Sequence, residues 1–347
     1  MDFSLKSLSD PALAGFDTII DVRSPAEYAE DHLPGAISLP VLSDEERAEV
    51  GTIYKQVSPF EARKLGGALV ARNAARHITD TLGGMGGGWR PLVYCWRGGQ
   101  RSGAFSTILQ QIGWRVARLE GGYKSWRAQV VQRVYDTPMT SPVILLDGNT
   151  GSAKTAILQR LAARGHQIID LEGLAQHRGS LFGGLSGGQP SQKMFEGRLA
   201  HAITALDPAR PVLIEAESSR IGDIAVPAAV WKSICAGQRL HLEVPVAARA
   251  AYTAQAYDDM TADPVRVAAI IERLRPLHAA TVIEEWLAQT EARDWAALAE
   301  GLMRRHYDPR YQRHRAAHEA GQAKSVAIAD LTDLDRATDQ VEAALPR

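Results

Sequence analysis

SPVILLDGNTGSAKTAILQRLAARG, residues Ser141–Gly165, decides how the second half of the chain folds. An apolar strand-like run, SPVILLD, leads into the small-residue loop Gly148-Asn149-Thr150-Gly151-Ser152-Ala153-Lys154-Thr155, and an amphipathic helix opens directly behind it. That order is the context a phosphate-cradling loop needs. Small residues let backbone N–H groups face phosphate oxygens, the helix N-terminus adds partial positive charge, and Lys154 neutralises the ligand. Thr155 stands where the hydroxyl of such a loop meets Mg²⁺, which leaves a metal open. One departure is Ala153, at a position where the usual pattern has glycine; its β-carbon narrows the room at a bound phosphate.

Further strands follow. HQIIDLE ends in Asp170 and Glu172, PVLIEAES ends in Glu215 and Glu217, and RLHLEVP is another strand candidate. Acids at a strand end beside a phosphate loop stand near metal or water, or simply face solvent; Asp170 and Glu172 read equally as helix caps. Between them lies the Gly/Ser-rich loop HRGSLFGGLSGGQPS, which offers Arg178 as a contact for an anion, and then a helix from about Gln192 to Leu206. From Val265 onward helical patterning dominates, so a helical C-terminal subdomain is expected.

Upstream, FDTIIDVR, AISLP, PLVYC and WRVARLEGG alternate with the helix-like SPAEYAEDHL, SDEERAEVGTIYKQV, Ser102–Ile112 and YKSWRAQVVQRVYD. Strands alternating with helices predict a mostly parallel sheet covered on both faces. The boundary falls near 136–141, at Thr137-Pro138, giving a first domain over 1–136 and a second over 137–347.

PLVYCWRGGQRS repeats the strand–loop–helix logic with a nucleophile. Cys95 ends the strand, Gly98 and Gly99 allow a tight curve, and Arg101-Ser102 begins the helix. Loop N–H groups closing on a helix N-terminus stabilise a thiolate, or an anion bonded to its sulfur. Arg97 and Arg101 add forked cationic donors. Cys235, in WKSICAGQ, lacks such a setting and reads as structural.

Composition sets bounds on partners. With 39 Lys and Arg against 40 Asp and Glu in 347 residues, the net charge of −1 gives no global pull toward nucleic acid or membrane, so any polyanion site must be a local patch. The 45% hydrophobic fraction is that of a globular chain with real cores. Two cysteines make no disulfide framework, the start MDFSLKSLSD lacks a secretory pattern, and no apolar run reaches the roughly 20 residues of a membrane span. A cytoplasmic setting without membrane association is expected, where a thiol stays reduced.

DVRSPAEYAEDHLPGAISLP, the Cys95 loop and LEGGYKSW together resemble the rhodanese domain, in which a cysteine carries sulfur as a persulfide. Asp21 and Arg23 match the Asp-x-Arg of that family and read as buttresses of the active loop. Cys95 to Arg101 is Cys-x5-Arg, one residue longer than the common rhodanese loop and shared with rhodanese-fold cysteine phosphatases. The fusion of this unit to DGNTGSAKT, DLEGLAQHRGS and IEAESSRIG resembles the tRNA 2-selenouridine synthase family. The resemblance implies an α/β protein: an N-terminal rhodanese-like parallel-sheet domain, then a C-terminal P-loop NTPase-like α/β domain with a helical C-terminal part. It implies a transferase that converts 2-thiouridine at the tRNA wobble position into 2-selenouridine. Its co-substrates would be selenophosphate and geranyl diphosphate, the latter giving an S-geranyl intermediate, with no tightly bound cofactor. Two other readings stand beside it: a sulfurtransferase or cysteine phosphatase fused to a nucleotide-dependent kinase-like unit, and a nucleotide-responsive RNA-binding module whose cysteine is inert.

Since the whole chain is near neutral, tRNA needs concentrated charge. MRRHYDPRYQRHR supplies Arg304, Arg305, Arg310, Arg313 and Arg315 against one acid, Asp308, with Tyr307 and Tyr311 interleaved. Guanidinium groups can grip phosphates while aromatic rings stack on unpaired bases. The same pattern is also that of a solvated helix face with buried tyrosines.

Overall fold

The computed structural model describes residues 2–216, 218–312 and 324–346. They fall into two compact units: Met1–Thr137 with Pro190–Ala205, and Pro138–Gln189 with Leu206–Arg347. The chain thus changes unit at Thr137/Pro138, then lends one helix from its second half back to the first unit.

The first unit is built on β1 (Asp2–Phe3), β2 (Thr18–Asp21), β3 (Ala36–Ser38), β4 (Pro91–Tyr94) and β5 (Ala117–Leu119). They pair in parallel in the order β1-β5-β4-β2-β3. All four residues of β4 are buried, as a parallel strand covered on both faces requires. Its helices are α1 (Pro25–Glu30), α2 (Asp44–Gln56), α3 (Pro59–His77), α4 (Gln100–Ile112) and α5 (Gly122–Val131). Ser43 and Glu46 start α2 with a reciprocal capping box. Phe105 and Leu109 of α4 pack with Ile20 and Val93 in one core, where Trp89 and Trp114 meet edge to face at 5.0 Å. The helix returned from the second half is α8 (Gln192–Thr204), capped by Ser191 and packed on α5.

In a doubly wound sheet, ligands sit beyond the strand C-termini where the strand order reverses. Here the chain runs β2 to β3 on one side, then β4 and β5 on the other. The ends of β2 and β4 therefore carry Asp21 and Cys95 to the reversal point.

The second unit holds β6 (Val143–Gly148), β7 (Gln167–Ile169), β8 (Val212–Glu215), β11 (Gln238–Glu243) and β12 (Lys324–Ala327), all parallel in the order β12-β11-β6-β8-β7. A small hairpin, β9 (Arg220–Ile221) and β10 (Ile224–Ala225), stands apart. β6 is central, and α6 (Lys154–Ala163) leaves from its end through the small-residue loop. The short α7 (Leu171–Ala175) follows β7, and α9 (Ala228–Cys235) precedes β11. A helical part comprises α10 (Val246–Ala256), α11 (Asp258–Thr261), α12 (Pro264–Glu272), α13 (Ala280–Glu291) and α14 (Trp295–Leu302). It has its own core around Trp286, Ile271 and Ile283.

The helical patterning does not run to the end of the chain. β12 rejoins the sheet beside β11, and α15 (Leu334–Ala344) packs on α6. Within β12 only Val326 is buried, and Ile328 just beyond it joins the same core. Among the described residues no helix is long and apolar enough to cross a membrane.

Candidate active sites

Cys95 is a free, buried thiol at the end of β4, and its Sγ lies 3.1 Å from the Ser102 hydroxyl on the first turn of α4. The loop between them is held by backbone contacts. The Tyr123 and Lys124 amides, at the start of α5, donate to the Cys95 and Trp96 carbonyls at 2.9 and 3.0 Å. A β-carbon at Gly122, whose φ is +58°, would stand 2.5 Å from the Gly98 nitrogen. Only a residue without a side chain lets the two segments approach so closely. Among the described residues, the amides of Arg97, Gly98, Gly99, Gln100 and Arg101 meet no backbone acceptor. They are donors at a helix N-terminus, as anion binding requires.

The two arginines differ. Arg97 is exposed and, among the described residues, has no ion pair. Arg101 is committed to Glu27, with Nη1 2.7 Å from Oε2. Burial pushes the Glu27 carboxyl up, but the bond and charge of Arg101 outweigh it and hold Glu27 below its ordinary value. Asp21 and Arg23 form a buried bidentate pair, with Nη2 2.6 Å from Oδ2 and also bonded to the Asp31 carbonyl at 2.5 Å. The Arg23 guanidinium stacks 4.0 Å over the Tyr123 ring. Among the described residues the pair is thus tied to the loop only through Tyr123, whose amide holds the Cys95 carbonyl.

That pair continues into a network the sequence reading missed. Tyr123 donates its hydroxyl to Asp31 at 2.7 Å, and burial nevertheless raises the Asp31 carboxyl to about 6. Arg127 pairs with the buried Glu196 of α8, which also accepts the Tyr135 hydroxyl at 2.6 Å. A buried carboxylate needs such partners.

In the phosphate loop, Ala153 has φ +59° and ψ 25°, the left-handed conformation that glycine would take without cost. Lys154 is buried, and its Nζ donates to the Gly148 carbonyl at 2.9 Å, so the ammonium is curled over its own loop. The Ser152 hydroxyl donates to the Asn149 carbonyl at 2.8 Å. Thr155 donates to Glu172 Oε2 at 2.8 Å, and the Glu172 amide donates to the buried Glu215 at 2.8 Å. Gly148, Thr150, Gly151 and Thr155 complete the turn. Asp170 caps α7 by accepting from the Gly173 amide, which is the cap reading. Glu217 lies outside the described residues. Among the described residues no three His, Cys, Asp or Glu side chains group as a metal cage.

Arg249 was not singled out from sequence, yet it holds the loop from the other side. It is buried on α10, donates to the Thr150 carbonyl at 3.0 Å and grips Asp308 bidentately at 3.0 and 2.7 Å. Its loop partner is 99 residues away in sequence, beyond any local pattern. A cavity of about 290 Å³ opens over the loop, lined also by Arg178, Tyr252 and Tyr311. Arg178 pairs with Asp259 at 2.8 Å and lies 4.6 Å over the Tyr257 ring.

The arginine-rich stretch near the C-terminus divides. Arg304 and Arg305 are exposed and paired with Glu300 and Glu285, both at 2.7 Å. Tyr307 is a packed side chain whose phenol is raised by burial. Arg310 and Tyr311 line a large cavity beside the phosphate loop. Arg313 and Arg315 lie outside the described residues.

A family model described as the tRNA 2-selenouridine synthase AAA domain matches residues 141–269, and a rhodanese-like domain model matches 4–129. The tRNA 2-selenouridine synthase of Nitrosomonas europaea is 33% identical over 279 residues, covering 79% of this chain and 72% of that protein. The chain belongs to the tRNA 2-selenouridine synthase family. The Nitrosomonas eutropha protein of that name is 34% identical over 80% of this chain and 72% of its own length. Its Shewanella loihica counterpart is 37% identical over 68% and 63% respectively. The fold expected from sequence stands: a rhodanese-like unit joined to a P-loop α/β unit with a helical part. Glu196, which holds Arg127 and Tyr135, carries no signal in a single sequence, since a buried acidic residue on a helix looks like any other.

Proposed function

We propose that this chain replaces the 2-thio sulfur of the tRNA wobble uridine with selenium drawn from selenophosphate, through an S-geranyl-2-thiouridine made from geranyl diphosphate. Membership of the tRNA 2-selenouridine synthase family over most of the chain carries this reading. The division of labour follows from the two loops. The amides of residues 148–155 and Lys154 would take the diphosphate and stabilise the charge that grows on it as its carbon–oxygen bond breaks. The same carbon bonds to sulfur, and alkylated sulfur is a better leaving group for incoming selenium. The Cys95 loop, with its unengaged backbone amides at the start of α4, would hold or attack the selenium donor. A thiol that must stay reduced suits the cytoplasm.

Mass spectrometry of tRNA tests it. Incubation of the enzyme with 2-thiouridine tRNA and geranyl diphosphate is expected to add a C10 prenyl group; adding selenophosphate is then expected to exchange sulfur for selenium. Lys154→Ala should abolish the first shift and Cys95→Ala the second. Normal selenation by Cys95→Ala from geranylated tRNA would sink the cysteine's role. ATP or GTP hydrolysis in place of both shifts would favour a kinase-like unit instead.

A further inference from the structure

Beside the phosphate loop, the second unit contains a cavity of about 960 Å³ that the proposed chemistry has not used. It shares Thr150, Ser180 and Tyr311 with the cavity over the loop. Its lining includes Arg220, Arg239, Arg266, Arg273 and Arg310, with Trp231 among them. Arg239 pairs with Asp147 at 3.3 Å. Arg266 and Arg220 donate only to the Gly184 and Asp223 carbonyls, at 2.8 and 3.4 Å. Arg273 and Arg310 are exposed. Among the described residues, none of these last four is paired with a carboxylate, and the arginines outnumber the two acids of the lining, Asp147 and Asp223, so the basin is electropositive on balance.

We infer that this basin receives the unstacked strand of the RNA substrate, with the nucleotide to be modified inserted beside the phosphate loop; this rests on the tRNA reading above. An enzyme that works on a base must take it out of the stack, and it holds the base on flat side chains in a fitted pocket. Trp231 and Tyr311 supply such faces, and guanidinium groups supply the phosphate grip. The spacing favours a strand over a free nucleotide. Arg266 and Arg273 lie two turns apart on one helix face, on the order of 10 Å along its axis. Basic groups spread over that length suit the successive phosphates of a strand, which are separated by a whole sugar. A diphosphate has its own cradle next door, and the shared Thr150 and Ser180 edge sets the two ligands side by side.

The test is fluorescence anisotropy of a labelled anticodon stem-loop on the full chain across a salt series. The double variant Arg273→Ala/Arg310→Ala removes exposed side chains and should fold normally, as its thermal unfolding will report. Its affinity is expected to fall at least tenfold, and the slope of log K against log salt to shrink by about 1.4, roughly 0.7 for each single-strand phosphate contact. Arg275→Ala/Arg336→Ala, which removes the same charge elsewhere on this unit, should stay within about twofold of wild type. Unchanged affinity and slope in the first variant would overturn the inference while leaving the tRNA reading intact. So would a loss confined to Arg304→Ala/Arg305→Ala, or ATP competing for the basin arginines. Failure of the wild-type protein to bind the stem-loop would sink both.

Discussion

The Cys95 loop and the phosphate loop share a plan, strand into loop into helix N-terminus, but they are kept in shape by different means. Around Cys95 the mould is backbone: carbonyls of Cys95 and Trp96 receive amides from α5, across a gap that Gly98 and Gly122 keep narrow. Around Lys154 the mould is side chain: Ser152, Lys154 and Arg249 each donate to a carbonyl of the loop, and an alanine occupies a left-handed position. A backbone mould fixes shape whatever the charges nearby, and suits a nucleophile whose position must not vary. A side-chain mould can open, because the Lys154 ammonium that now holds the Gly148 carbonyl is the group a phosphate would draw away.

The sharpest way to break this contrast is Gly122→Ala. The new methyl would meet the Gly98 nitrogen at 2.5 Å with φ at +58°, and neither strand of backbone can yield cheaply. A loss of about 3 kcal/mol or more is expected, with loss of Cys95 alkylation selectivity; wild-type stability in urea would refute a backbone mould. Next comes Arg249→Ala, which strands Asp308 and the Thr150 carbonyl. Removing one partner of a buried pair costs about 3 kcal/mol, and because the damage is to the side-chain mould, diphosphate binding should weaken while Cys95 chemistry persists. Equilibrium unfolding and the two mass-spectrometric shifts read this out.

What could be read in advance tracks the same distinction. Both loops were legible because short-range chemistry sets their residues: glycines where the chain must curve, Lys154 and the arginines where charge is needed. The partners that mould them were not. Arg249 meets Asp308 across 59 residues and sits in an alanine-rich helix with no polar pattern. The first unit's claim on α8 rests on Glu196 meeting Arg127 and Tyr135, separations of 69 and 61 residues. α3 carries no legible apolar stripe, because only Ala62, Val70, Asn73 and Ala74 of its 19 residues are buried. The split of the C-terminal arginines, Arg304 and Arg305 outward and Arg310 toward the basin, depends on which helix face meets a cavity, which composition does not encode.

Acid should pull the two units in opposite directions. Burial raises Asp31 from 3.8 to about 6, so between those values the folded first unit holds a proton that the unfolded chain does not, and stability rises as pH falls. In the second unit His306, 2.9 Å from His278, is lowered from 6.5 to about 4 by burial first, then by Arg310 and His278. There the unfolded chain binds the extra proton, so stability falls over the same window. Each effect is on the order of 2 kcal/mol. Hydrogen exchange followed in each unit, corrected for intrinsic rates, should show the divergence; Asp31→Asn should flatten the first profile and His306→Phe the second. Parallel profiles in the wild type would contradict both assignments.

The smallest expected effect concerns Ala153, and its smallness is informative. A left-handed alanine costs about 1–2 kcal/mol relative to glycine. Against that, glycine loses about 0.4–1 kcal/mol through its freer unfolded chain, and the buried methyl, packed in the core with Ile157 and Leu242, contributes about 0.8 kcal/mol. The terms nearly cancel, so Ala153→Gly should shift the urea midpoint by less than about 1 kcal/mol equivalent. That near-cancellation is how a side-chain mould tolerates a residue its backbone geometry disfavours. A destabilisation beyond about 2 kcal/mol would mean that the methyl is itself part of the mould. The phosphate loop would then depend on close packing as much as the Cys95 loop does.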